Sequence, residues 1–165
     1  MSFQPIINGF VPSWSSISIE LDGEINNAVK SITYKHAIAK KSQYGLGKAR
    51  YGVAVGQYTA ECSVEMFGPG AIAFRDRLIS KASGVVKQSL VPNGTAPSYA
   101  DVRFNVRVSY VNSSGRLVTD KILQCEIVDE EATLSQGEDG NGFKYTLLPN
   151  VILMDGKPLT EGLVY

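Results

Sequence analysis

Tyr58-Thr59-Ala60-Glu61-Cys62-Ser63-Val64-Glu65-Met66, followed by Phe67-Gly68-Pro69, decides the class of this chain. In an extended strand Tyr58, Ala60, Cys62, Val64 and Met66 fall on one face, and Thr59, Glu61, Ser63 and Glu65 on the other. That period of two belongs to a strand with one packed face and one polar face. The extended run reads as one long strand from Tyr51 to Met66. Gly68-Pro69 then opens a helix, because proline is tolerated in a first turn where no intrahelical donor is lost. Ala71, Phe74, Leu78 and Ala82 recur at helical spacing over 69–82, and Ile72 and Ile79 widen the stripe. Gly84 is the expected C-terminal stop.

Upstream, Ile17, Ile19 and Leu21 alternate, and Asp22-Gly23 is a strong hairpin signal. Ile25 to Tyr34 is the expected return strand of a hairpin over 15–34. Residues 35–50 break the pattern: Lys35, His36, Lys40, Lys41, Lys48 and Arg50 occur with no acid, and Gly45 and Gly47 follow. The expectation there is a long basic loop, of a length that usually carries function.

Downstream, residues 89–98 have loop chemistry. Val102, Phe104, Val106, Val108 and Tyr110 then alternate with Arg103, Asn105, Arg107 and Ser109. Asn112-Ser113-Ser114-Gly115 is a turn, and Leu117 to Val128 a return strand. A short further strand is expected at Glu130–Leu134, and a polar loop from Ser135 to Gly142. Phe143 to Met154 is strand-like but broken at Pro149-Asn150, a bend or bulge. Asp155-Gly156 closes the last turn. The result is one domain over 1–165: mainly β, two packed antiparallel sheets in a sandwich or partly closed barrel, with one flanking helix.

The 165 residues carry 16 Lys+Arg and 16 Asp+Glu, are 44% hydrophobic and only 19% charged. A chain of this length buries roughly 70% of its unfolded surface and needs no staples. Zero net charge excludes a strongly basic nucleic-acid binder, whose affinity would come from neutralising phosphates. It also removes the repulsion that keeps copies apart. The neutrality conceals a polarity: residues 1–50 hold six bases and three acids, residues 120–165 three bases and nine acids. No window approaches the roughly 18 apolar residues of a membrane helix, and the N-terminus lacks the pattern of a secretory signal. Cys62 and Cys125 read as buried thiols in a reducing compartment.

Catalytic chemistry is missing from the sequence. His36 is the lone histidine, with no cysteine or acid near it to share a metal. No Gly-x-Ser-x-Gly elbow occurs. Gly45-Leu46-Gly47-Lys48-Ala49-Arg50 lacks the third glycine of a dinucleotide site and the Ser/Thr of a P-loop. Glu61 and Glu65 stand roughly 13–14 Å apart along a strand, too far for a carboxylate dyad. Asp129-Glu130-Glu131 reads as a solvated acidic turn. No cofactor, no metal and no enzymatic activity are expected.

The order of these elements resembles the tail tube proteins of tailed bacteriophages, above all those with contractile tails. The resemblance rests on the hairpin at 15–34, the glycine-containing loop at 35–50, Gly56-Gln57-Tyr58-Thr59-Ala60-Glu61 leading into the long strand, and the single helix directly after it. The strands at 102–111 and 117–128, with Cys125-Glu126-Ile127, and the last strand through Gly142-Phe143-Lys144-Tyr145-Thr146-Leu147 complete it. It implies a virion protein assembled in the host bacterial cytoplasm into hexameric rings. Rings stack into a hollow tube that passes DNA without gripping it, with sheath and baseplate or terminator proteins as partners. Tube initiators and secretion-system tubes share the fold and are the alternative; a monomeric ligand-binding β-barrel is the remote one.

Two polar strand faces are candidates for a lumen: Glu61 with Glu65, and Arg103 with Arg107. A DNA conduit is better served by the acidic pair, since each neutralised phosphate adds grip. For contacts between subunits or rings, the candidates are Lys40, Lys41, Lys48 and Arg50 against Asp129, Glu130 and Glu131. Such complementarity steers register more than it adds affinity.

Overall fold

A computed structural model describes residues 17–44, 46–47, 50–86, 99–100, 102–112, 114–134 and 141–160. The loop expected at 89–98, residues 135–140 and Lys48 lie outside them. Among the described residues the strands are β1 (Ser18–Leu21), β2 (Glu24–Ile25), β3 (Val29–Tyr44), β4 (Arg50–Phe67), β5 (Phe104–Val111), β6 (Leu117–Thr133), β7 (Gly142–Leu148), β8 (Val151–Met154) and β9 (Lys157–Pro158). One helix, α1 (Gly68–Val86), separates β4 from β5.

The mainly β, antiparallel architecture with a single flanking helix is the one expected. Its two layers are sections of one hydrogen-bonded sheet that does not close into a barrel. The strand order is β2-β1-β5-β6-β7-β4-β3, with β8 attached to β6 and β9 to β8. The section made of β3, β4, β7 and the C-terminal half of β6 is here called the A section; β1, β2, β5, β8, β9 and the N-terminal half of β6 form the B section. β6 belongs to both: residues 117–125 pair with β5, and 126–133 pair with β7. It turns between them at Gln124, whose φ is 56° and whose N–H is held by Asn105 Oδ1 at 2.9 Å.

The core lies between the sections and under α1. Ile32 and Tyr34 of β3, Cys62, Val64 and Met66 of β4, Val106 and Val108 of β5, and Ile122 of β6 are all buried. Ala71, Phe74, Leu78 and Ala82 form the buried stripe of α1, as their spacing predicts. Phe74 wedges between the sections, edge-on to Phe104 (5.2 Å between centroids) and to Tyr145 (5.4 Å). Cys62 and Cys125 are free and buried, and burial pushes both thiols up, Cys125 to about 12.

Several expectations are corrected. The loop expected at 35–50 is instead a β-ribbon. β3 runs unbroken to Tyr44 and pairs with β4 down to Tyr44↔Arg50. Its outer residues, Ala39 to Tyr44, are all exposed. With nothing buried on either face, the sequence there shows no alternation, though the backbone pairs with β4 as far as Tyr44. The hairpin at 15–34 shrinks to β1–β2: Asp22-Gly23 does turn the chain, with φ of 52° and 83°, but only Glu24–Ile25 returns. β3 then leaves to pair with β4. The acidic run is not a turn, and no separate strand follows it, because β6 continues through Asp129-Glu130-Glu131 to Thr133 across an irregularity at Val128. The helix passes Gly84 and ends at Val86. Pro149-Asn150 does break the last strand, and the break lets the chain step from β7 in the A section to β8 in the B section.

Candidate assembly interface

The A section is a four-strand strip, β6-β7-β4-β3, with every neighbour antiparallel. Its two outer strands are β3 and residues 126–133 of β6. Neither has a second partner among the described residues, so each presents a row of unpaired backbone groups. With alternating directions and an even strand number, the two edges run oppositely. The β6 edge of a second copy set beside β3 would therefore extend the strip as a continuous antiparallel sheet.

One face of the strip packs on the core and the other is polar. Glu61 and Glu65 project from the polar face of β4. The Lys35 Nζ sits 3.1 Å from Glu61 Oε2, and the Lys30 Nζ 3.6 Å from Glu65 Oε1. Thr33, Ser63 and Thr146 lie between them in register, and Lys144 of β7 stands between Glu65 and Glu131. Asp129 and Glu131 share this face and are exposed. The face is thus mixed in charge rather than basic. Arg103 and Arg107 lie elsewhere, on the outer face of the B section, where they pair with Glu126 (2.8 Å) and Glu20.

Glu130 turns the other way. Its carboxylate accepts from Arg75 of α1, from Tyr99 and, at 3.2 Å, from Tyr145. Burial alone would raise this carboxyl, but Tyr99, Arg75 and Tyr145 together hold it below its usual range. The Arg75 guanidinium also lies 5.9 Å from the ring centres of Tyr99 and Phe143. This cluster pins α1 to the sheet. No local pattern announces it, since its members are scattered over four segments.

The basic candidates separate as well. Lys40 and Lys41 are adjacent in β3 and therefore point to opposite faces. Lys40 stands in register with Val55 and Lys41 with Ala54. An extra residue at Gly56–Gln57 in β4 shifts the register between Ile38↔Tyr58 and Lys40↔Val55. In consequence Lys40, Ser42, Tyr44, Val53 and Val55 continue the core-side face, while Lys41 continues the face of Glu61. Arg50 opens β4, and its side chain lies outside the described residues. The basic ribbon and Asp129 and Glu131 occupy opposite edges of the strip, so they do not meet within one chain.

Among the described residues no cluster of His, Cys, Asp or Glu could hold a metal ion, and no helix is long and apolar enough to cross a membrane.

The sequence matches no family model and no curated protein. Solved structures do match. A chain of the sheath–tube complex of an extracellular contractile injection system, PVC in its extended state, is 12% identical with a TM-score of 0.51, over 88% of this chain and 91% of that one. The PVC sheath/tube terminator is 13% identical with a TM-score of 0.50, over 88% and 96%. The tube-terminating cap of the anti-feeding prophage is 10% identical with a TM-score of 0.52, over 88% and 91%. The chain thus has the fold of contractile injection tube and tube-terminator proteins.

Proposed function

We propose that this protein is a non-enzymatic tube subunit, whose A sections join edge to edge into a closed ring and whose rings stack around a lumen. The observation that carries this reading is the pair of oppositely directed, unpaired edges on one four-strand strip. A head-to-tail contact of this kind generates a ring whenever its rotation closes. The polar face of the strip then lines the channel, with Glu61, Glu65, Asp129 and Glu131 among its charges. Lys30, Lys35 and Lys144 balance them, which suits a conduit that must not hold DNA. Six copies, as in the phage tail tubes the sequence resembles, and sheath and terminator partners complete the proposal, with the assembled tail of a virion as its place.

Electron microscopy of the purified protein tests this. Rings or hollow tubes with sixfold symmetry are expected; a dispersed monomer at high concentration would overturn the reading. A terminator is the second reading, favoured by the likeness to two terminating proteins. Single rings that never stack would select it.

A further inference from the structure

We infer that His36, Tyr58 and the Ile152 peptide form an acid-released clasp that sets the angle of the β3–β4 ribbon against the B section. The clasp works within one chain and does not rest on the tube reading.

The ribbon is held at its base. Beyond β4, β3 packs chiefly on β8, and two side chains converge there on one residue. The Tyr58 hydroxyl of β4 accepts from the Ile152 N–H at 3.1 Å, and the His36 imidazole of β3 meets the Ile152 backbone. The two side chains are themselves joined: His36 Nδ1 lies 3.0 Å from the Tyr58 hydroxyl. Their rings stand edge-on, with centroids 5.9 Å apart. Ile152 is buried, and a buried backbone donor needs a partner. β9 pairs with β8 at Leu153 and Met154, which leaves the Ile152 N–H to Tyr58.

Immediately outside the clasp the ribbon can bend. The extra residue at Gly56–Gln57 shifts the register between Ile38 and Lys40, and such a bulge bends its strand. Beyond it, Ala39 to Tyr44 are all exposed. A two-stranded ribbon with no covered face is marginal in water, so its direction is set where it is held.

The chemistry of the clasp depends on the imidazole being neutral. With its proton on Nε2, the ring accepts from the Tyr58 hydroxyl through Nδ1 while that hydroxyl accepts from Ile152. Protonation makes both ring nitrogens donors. The Tyr58 oxygen then faces two donors, and its own proton loses its acceptor. The groups facing His36 are Tyr58 from β4 and Asp120 from β6, with β8 presenting the Ile152 backbone. Lys35, its neighbour in β3, turns to the opposite face and pairs with Glu61. Asp120 and the Ile152 backbone favour the charged ring, but burial outweighs them. Asp120 is also shared by the Tyr34 hydroxyl and the Asp155 N–H. Acid therefore opens the clasp: the imidazolium turns out to water and the ribbon swings about the bulge.

Pulsed electron paramagnetic resonance reads that angle as a distance. Nitroxides are placed at Val53→Cys in the ribbon and Lys121→Cys in β6, the native thiols being buried, and labelled chains are diluted with unlabelled protein. One narrow distance is expected at pH 7.5, and a broadened, shifted one at pH 5 that reverts on neutralisation. Adding His36→Gln, whose amide oxygen accepts from Tyr58 but does not titrate, should keep the distance narrow at both pH values. Adding Tyr58→Phe should leave it broad at both. A distance unchanged between pH 7.5 and pH 5 without either change would overturn the clasp. So would a pH response that survives His36→Gln, or a narrow distance at both pH values in Tyr58→Phe.

Discussion

The Tyr34 hydroxyl on β3 donates to the carboxylate of Asp120 on β6, joining the two sections of the sheet at an acid that is only 1% exposed. Asp120 also accepts from the Asp155 N–H at 2.7 Å and interacts with the Tyr110 hydroxyl. Burial and the neighbouring carboxylate push the Tyr34 phenol far above its ordinary range, so it remains a donor at any physiological pH. Removing the donor with Tyr34→Phe strands part of a buried carboxylate, a loss of about 1–3 kcal/mol. Urea unfolding checks this, with a lower midpoint and unchanged slope as the expected outcome.

Gly70 in the first turn of α1 lies against the turn before β3. A Cβ there would stand 2.4 Å from Ala28 Cβ and 2.8 Å from Asn26 Oδ1. Asn26 is itself fixed, accepting from the Ala28 N–H at 2.9 Å and donating to the Gly70 carbonyl at 3.3 Å. Neither Cβ can swing aside, so Gly70→Ala must move the helix, at about 1–3 kcal/mol. Gly52→Ala is the control, since nothing lies within 4 Å of its Cβ position. Thermal melts of the two variants should diverge, with Gly52→Ala at or above wild type.

His36 is predicted to make stability fall with acidity. The Ile152 N–H donates to the Tyr58 hydroxyl at 3.1 Å, and the same hydroxyl shares a hydrogen bond with His36 Nδ1, 3.0 Å away. Burial pulls the imidazole below its ordinary pKa, against the opposing pull of the Ile152 backbone and Asp120. The unfolded chain therefore binds more protons below about pH 6.5 than the folded one. Stability due to this site is intact above that pH and declines as pH falls toward the folded-state value, where it levels off. Denaturation midpoints between pH 7.5 and 5 should drop more steeply for wild type than for His36→Gln; parallel curves would refute the assignment.

Lys41 faces the opposite side from Lys40, along the edge proposed to receive the β6 strand of the next copy and its Asp129 and Glu131. Lys41→Glu is expected to lower the fraction of protein in rings at low salt. The deficit should shrink as salt rises, because the Debye length falls from about 30 Å at 0.01 M to about 3 Å at 1 M. Light scattering across a salt series measures this, and a deficit independent of salt would count against an electrostatic role.

The sequence by itself determined the strand that runs through Tyr58–Met66, the buried stripe of α1, the Asp22-Gly23 turn and the break at Pro149-Asn150. Each is written in a local pattern: a period of two or of 3.6 with one face buried, or residues suited to a tight bend. Tertiary structure alone decided the rest. Residues 39–44 form a strand because β4 pairs with them, and a ribbon exposed on both faces has no burial to stamp alternation on its sequence. The shift at Gly56–Gln57 decides which side Val53, Val55 and Lys40 share, and that depends on pairing between segments far apart in the chain. Glu130 sits beside Asp129 and Glu131 in sequence yet faces α1, because side chains alternate across a strand that the acidic run does not interrupt. Whether a charge lines a face, pins a helix or meets another copy follows from such long-range register, and no local pattern records it.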